Sequence, residues 1–195
     1  AFMEMLVSLL ILRRLKTNFL PNENLNLDKK ALFKGKLLSN NIKIVTSNPI
    51  IFLSVVGLSL FWGISQGMIA VFPSLAKMHL GITDVFIING IVGLSGIGIA
   101  IGSILYSKIS KHYIEVGTIP FSFLGLALMI YVSTIVETPF LLAICFLLFG
   151  VFGGLFVVPL NSLIQFNAKK NIIGTILAGN NWFQSLSMFV MLFIT

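Results

Sequence analysis

Charge is what this sequence has least of. Asp, Glu, Lys and Arg supply 10% of its residues, where an ordinary soluble domain carries roughly 25%. There is one cysteine, Cys145, in an apolar stretch. It excludes a disulfide within the chain and argues against redox chemistry. The six acids and two histidines form no catalytic constellation, and no acid pairs with a histidine at motif spacing. His79 and His112 are expected near opposite membrane faces, where they cannot share a metal. No catalytic residue, no metal and no cofactor is therefore expected. The opening AFMEMLVSLLIL lacks the basic start of a signal peptide and is too short to span a bilayer.

Apolar residues fill the space that charge leaves. They make up 57% of the chain, and the mean hydropathy is +1.03. They fall in blocks long enough to cross a bilayer, which takes roughly 20 mostly apolar residues per helix. Helices of a soluble core would need polar faces, and these blocks mostly lack them. The expected fold class is an all-α polytopic membrane protein. Five spans are expected near 50–76, 83–107, 115–135, 138–166 and 172–195, and residues 1–12 read as the end of a further, truncated span.

The net charge of +7 lies in the loops. Linker 13–49 holds eight of the thirteen Lys and Arg, and its segment ALFKGKLLSNNIKIV reads as an amphipathic interfacial helix. Loop 108–114 carries Lys108 and Lys111, and loop 167–171 carries Lys169 and Lys170. The alternate loops carry Lys77 with Asp84, and Glu137 alone. Basic loops therefore share one side, which the positive-inside rule makes the cytoplasm. That placement accounts for the charge without nucleic acid.

Polar groups inside such spans must face other helices or a water-filled cavity. GGLFVVPLNSLIQ, residues 153–165, concentrates them: two glycines, Pro159, Asn161 and Gln165. At about 100° per residue, Gly150, Gly154, Asn161 and Gln165 share a face. So do Ser59, Gly63, Gln66 and Ala70, with Trp62 at the edge. Asn89, Gly93, Gly96, Ala100, Ser103 and Ser107 form a third stripe, and Gly174, Ala178, Asn181 and Ser185 a fourth. Small residues let membrane helices approach closely. The amides of Gln66, Asn89, Asn161 and Asn181 ask for more partners than packing supplies, and a polar cavity would supply them. GLSGIGIAIGS, residues 93–103, is not a dinucleotide fingerprint, because Ile101 stands where its third glycine belongs and no strand precedes it.

A basic linker followed by alternating spans resembles the second half of a major facilitator superfamily transporter, in which two six-helix halves are joined by a long cytoplasmic loop. In that register the chain is a partial major facilitator fold: residues 1–12 end helix 6, the five spans are helices 7–11, and the twelfth is missing. Three stretches resemble the lysophospholipid transporter family, especially the branch fused to or encoded with acyl-carrier-protein-dependent phospholipid acyltransferases. They are SVVGLSLFWGISQGMIAVFPSLAKMHLG (54–81), GIGIAIGSILYSKISKHYIEVGTIPFSFLGL (96–126) and GGLFVVPLNSLIQFNAKKNIIGTILAGNNWFQSLSMF (153–189). Gly102, Ser103, Lys108, Ser110, Glu115 and Gly117 match that family's loop between helices eight and nine. Pro159, Asn161 and Gln165 match its tenth helix, and Asn180 and Asn181 its eleventh. The superfamily's loop motif has an acid four residues after its first glycine; here that place is Tyr106.

The resemblance implies a carrier in the bacterial inner membrane that brings lysophospholipid, chiefly lysophosphatidylethanolamine, to the cytoplasmic leaflet for re-acylation by an acyltransferase, partner or fused. Trp62, Gln66, Asn89, Asn161, Gln165 and Asn181 are the expected cavity and headgroup residues, with Phe61 and Phe183 beside them for one acyl chain. Gly102, Ser103, Lys108, Glu115, Gly154 and Pro159 are the expected gating set, Pro159 as a bend. The N-terminal half of the carrier is expected to lie outside this chain. Glu4 in the truncated span is a candidate proton site. Two alternatives stand beside this reading: a proton-coupled drug or metabolite exporter of the same fold, and the membrane module of a multifunctional acyltransferase. Nothing in the segment itself points to an enzyme.

Overall fold

The computed structural model describes residues 36–111 and 113–195. The expected span end at 1–12, with Glu4, lies outside these residues, as do most of the linker and His112. Six helices follow in order: α1 Lys36–Thr46, α2 Pro49–Leu80, α3 Val85–Ile109, α4 Thr118–Ile135, α5 Pro139–Asn167 and α6 Ile173–Ile194.

Local chemistry sets several of the boundaries. The Asn48 side chain caps α2, its Oδ1 accepting from the Ile50 N–H at 2.9 Å and the Ile51 N–H at 3.4 Å. Pro49 takes the first helical position, where its missing N–H costs nothing. Gly81, at φ 64°, turns the chain out of α2. The Ile82 N–H then closes back on the Ala76 carbonyl at 3.1 Å. Asp84 caps α3 through the Phe86 N–H at 2.8 Å. Pro139 opens α5.

The 32 residues of α2 and the 29 of α5 extend to about 48 and 44 Å at 1.5 Å per residue. Both exceed a hydrocarbon core of roughly 30 Å. Pro49–Met78, Val85–Ile109, Thr118–Ile135 and Pro139–Asn167 are long and apolar enough to cross a membrane. The fifth expected span forms a helix of 22 residues, α6, yet is not among the four that meet both measures. The reason is its polar content: Asn180, Asn181, Gln184, Ser185 and Ser187 fall within two turns.

Glycines decide how the helices pack. A Cβ on Gly98 would meet Leu147, Gly150 and Val151, and one on Gly102 would meet Val151 and Gly154. Four residues along α3 thus match four along α5, so these two helices run parallel, backbone against backbone, in the most extensive helix contact of the bundle. The α2–α6 pair is built the same way. Gly63 lies against Ser187 and Met191, and Gly67 against Met191 and Thr195. The central α2–α5 crossing is antiparallel: Gly57 meets Leu160, Phe61 sits on Gly153, and the Phe72 and Phe146 rings lie 4.6 Å apart. Helix α4 covers α5, with Gly125 over Phe152 and Ser122 fully buried.

Two apolar cores result, one toward each end. Val45, Val55, Leu58, Phe61, Phe156, Leu160, Ile164 and Ile176 belong to one. Phe72, Ala76, Ile88, Ile91, Leu142 and Phe146 belong to the other. The short α1 joins the first of these. Its Val45 is completely buried, with Cγ2 2.7 Å from where a Cβ on Gly179 would stand, while Ser39 and Lys43 are exposed. Within the described part of the expected interfacial segment, Val45 is therefore packed on α6. Alternation of direction brings Lys43, Lys108, Lys111, Lys169 and Lys170 to one end of the bundle and Asp84 and Glu137 to the other.

Candidate functional site

The four small-and-polar stripes divide into two kinds. Those of α2 and α5 are largely packing surfaces. Ser59 and Gly63 are buried toward α6, and Gly150 and Gly154 are buried against α3. Those of α3 and α6 are the reverse. Asn89, Gly93, Gly96, Ala100 and Ser107 are all exposed, on the side of α3 opposite the packed Gly98 and Gly102. No atom lies within 4 Å of a Cβ placed on Gly93 or Gly96. On α6, Gly174, Ala178, Asn181 and Ser185 are exposed, opposite the buried Ile176, Gly179 and Asn180. Each of these helices thus holds the bundle with one stripe and presents the other outward.

The six expected cavity residues are not gathered at one level. The helix registers place Asn89 level with about residue 141 of α5, Gln66 with about 149, Trp62 with about 153 and Asn181 with about 158. With Asn161 these last three lie within about 18 Å along the bundle axis, in its middle. Asn89 and Gln165 are about 36 Å apart on the same scale and cannot serve one headgroup together. Trp62 is half-buried and meets Phe61 edge-on at 5.3 Å. Gln66 is half-buried, and Asn89, Gln165 and Asn181 are exposed. Asn161 is half-buried and donates Nδ2 to the Val157 carbonyl of its own helix at 3.0 Å.

Of the expected gating residues, Gly102, Ser103 and Gly154 meet in the α3–α5 contact. A Cβ on Gly154 would stand 2.7 Å from the Ser103 N–H nitrogen and 2.9 Å from the Gly102 carbonyl carbon. The Ser103 hydroxyl donates to the Ile99 carbonyl at 2.7 Å. Lys108 is exposed at the end of α3, and the Glu115 carbonyl accepts from the Thr118 hydroxyl at 2.9 Å. Pro159 is fully buried and the helix runs on through it.

Two polar features lie outside these four stripes. Asn180 is 3% exposed, and its Oδ1 accepts from Gln184 Nε2 at 3.0 Å. Ile176, Gly179, Asn180, Phe183 and Ser187 form a stripe of their own on α6. Its spacing is readable in the sequence beside the stripe of small residues opposite. Tyr106 is also 3% exposed, and among the described residues its hydroxyl has no hydrogen-bond partner.

A cavity of about 1060 Å³ lies between α2, α4, α5 and α6 at the Glu137 end, walled by Met68, Phe72, Ile130 and Met191 among others. A smaller one of about 190 Å³ is lined by Leu60, Phe61, Phe123, Leu126, Phe149 and Phe156. Both are mostly apolar, and none of the six expected polar residues lines either one. Among the described residues no three His, Cys, Asp or Glu side chains are grouped to hold a metal.

Apolar helices of spanning length, packed through glycine, define a polytopic helical membrane protein. The sequence profile of the Major Facilitator Superfamily matches residues 1–192, and the chain belongs to that superfamily. It is similar to proteins named lysophospholipid transporter LplT. It shares 27% identity over 144 residues with that of Photorhabdus laumondii, 32% over 141 with that of Escherichia coli O157:H7 and 31% over 142 with that of Klebsiella pneumoniae. Each match covers 71% of this chain and 35% of the relative, so the chain spans about a third of the length of these relatives. No solved structure matches the chain significantly.

Proposed function

We propose that this chain is part of the C-terminal half of a carrier that moves lysophospholipid to the cytoplasmic leaflet by alternating access. The observation that carries the reading is the pair of outward stripes on α3 and α6. An amide left in hydrocarbon without a partner costs roughly 2–7 kcal/mol, so Asn89 and Asn181 call for a wet or polar surface against them. A second half across a central cavity supplies one. In this reading α6 is a fifth span, because its polar residues face the cavity, pair with one another as Asn180 and Gln184 do, or lie against α2 as Ser187 does. Gln66, Trp62 and Asn181, at mid-depth, solvate the zwitterionic headgroup, while Asn161, at the same depth, lies on the face of α5 that meets α3. Asn89 and Gln165 belong to the two mouths.

The substrate class follows from the relatives' names and from the apolar character of the helices, which suits a single acyl chain worth about 0.8 kcal/mol per buried CH₂. The basic ends of α1, α3 and α5 mark the cytoplasmic face by the positive-inside rule, in the inner membrane. Re-acylation by an acyltransferase, separate or fused, is the step such delivery would feed. Uptake of labelled lysophosphatidylethanolamine by spheroplasts tests the reading. Deletion of the full-length gene should abolish it, and unchanged uptake would overturn it. Transport of unrelated solutes that collapses with the proton gradient would instead mark an exporter.

A further inference from the structure

Tyr106 and Asn161 lie in the same helix contact, and each lacks something the other offers. The Tyr106 hydroxyl is the one side-chain polar atom among the described residues that is fully buried without a partner. Buried tyrosine hydroxyls usually find one. Asn161 has its Nδ2 on the backbone of its own helix, and no described group donates to its Oδ1.

Register places the two close. Gly98 is level with Gly150 and Gly102 with Gly154, so one turn further Tyr106 is level with residue 158. Asn161 follows by three residues, about 4.5 Å along the axis, on the same face of α5 as Gly150 and Gly154. Helical side chains lean toward the N-terminus, which carries Tyr106 back from Asn161 in this arrangement. A slide of α3 along α5 by less than one turn would close the gap. The contact is glycine on glycine at Gly98–Gly150 and Gly102–Gly154, and the slide must carry the Ile99 side chain along Gly153.

We propose that Tyr106 and Asn161 are positioning residues that hydrogen-bond in the carrier's alternate state and latch the basic ends of α3 and α5. The phenol donates to Asn161 Oδ1 in that state and is orphaned in this one, so the pair biases a two-state element. The proposal rests on the carrier reading above.

The test uses the full-length protein in proteoliposomes with labelled lysophosphatidylethanolamine. Tyr106→Phe and Asn161→Ala should each slow transport roughly three- to tenfold, the scale of one net hydrogen bond. The double variant should be no slower than the slower single one. Thermal stability should hold, and rise if anything in Tyr106→Phe, which removes an unpaired buried hydroxyl. A second readout needs no substrate. Ser107, exposed beside Tyr106, is replaced by cysteine in a full-length background from which Cys145 and every other cysteine have been removed, and labelled with a membrane-impermeant maleimide from the basic side. Each latch variant should shift the labelling rate by a similar factor, and the double variant should add nothing. Wild-type labelling in Tyr106→Phe, or effects that multiply in the double, would overturn the latch. If the wild-type protein moves no lysolipid, the substrate reading fails and the labelling alone still decides the latch.

Discussion

Gly98 and Gly150 stand back to back: a Cβ on either would come within 2.9 Å of the other's Cα. No side chain can yield there, because the neighbours are main chain. Overpacking a core typically costs about 1–3 kcal/mol even where side chains adjust. Gly98→Ala or Gly150→Ala should therefore lower the melting temperature of the purified full-length protein by several degrees, and Gly98→Leu should abolish folded yield. An unchanged melting temperature in both alanine variants would mean that the α3–α5 contact is looser than described.

Pro159 is fully buried within a continuous α5. It has no N–H to give the Leu155 carbonyl, and a proline inside a helix is the commonest cause of a bend. Pro159→Ala restores that bond and should straighten and stiffen α5. The expected outcome is a fall in transport rate with folded yield retained or raised. Parallel losses of rate and yield would leave Pro159 a packing residue only.

Among the described residues, helix type and approximate position were legible because blocks of about 20 apolar residues separated by charge have few other meanings in a chain with 10% charge. The stripes were legible too, since spacing fixes which residues share a face. Spacing does not say which face meets protein. Gly102 and Gly154 are packed backbone to backbone; Asn89 and Gly96, in a seam of the same appearance, are exposed. Nor does one helix's spacing reveal depth relative to another, so Asn89 and Gln165 could be grouped in sequence although they lie near opposite ends. In the sequence Tyr106 is distinguished only as a departure from a motif. Its buried, unpartnered hydroxyl depends on a neighbouring helix that no local pattern contains.

Gly179 is the seat of α1, with Val45 above it and the Asn41 carbonyl 3.6 Å from the position of a Cβ. Any larger residue must push Val45 out of its fully buried site. Gly179→Leu should undock α1 and leave the long helices in place. Limited proteolysis at Lys43 should then accelerate at least severalfold, while the helical circular-dichroism signal changes little. Unaltered cleavage would show that α1 is held by contacts other than this one.

Asn180 and Asn181 are neighbours in sequence with opposite surroundings, and this separates structure from transport. Asn180 is buried and accepts a hydrogen bond from Gln184. Asn180→Leu deletes that acceptor and strands a half-buried amide, at a cost of roughly 1–3 kcal/mol. It should lower thermal stability, and transport should fall only as far as folded protein does. Asn181 is exposed on the outward stripe with Gly174, Ala178 and Ser185. Asn181→Leu should keep stability, since an apolar side chain is no burden on a membrane helix, and should reduce lysolipid transport per folded molecule by about tenfold or more. Gly96→Leu on the α3 stripe should behave like Asn181→Leu, because nothing in the bundle meets it. If Asn181→Leu and Gly96→Leu both transport at the wild-type rate, the outward stripes face lipid and the cavity must be sought on α2 and α5.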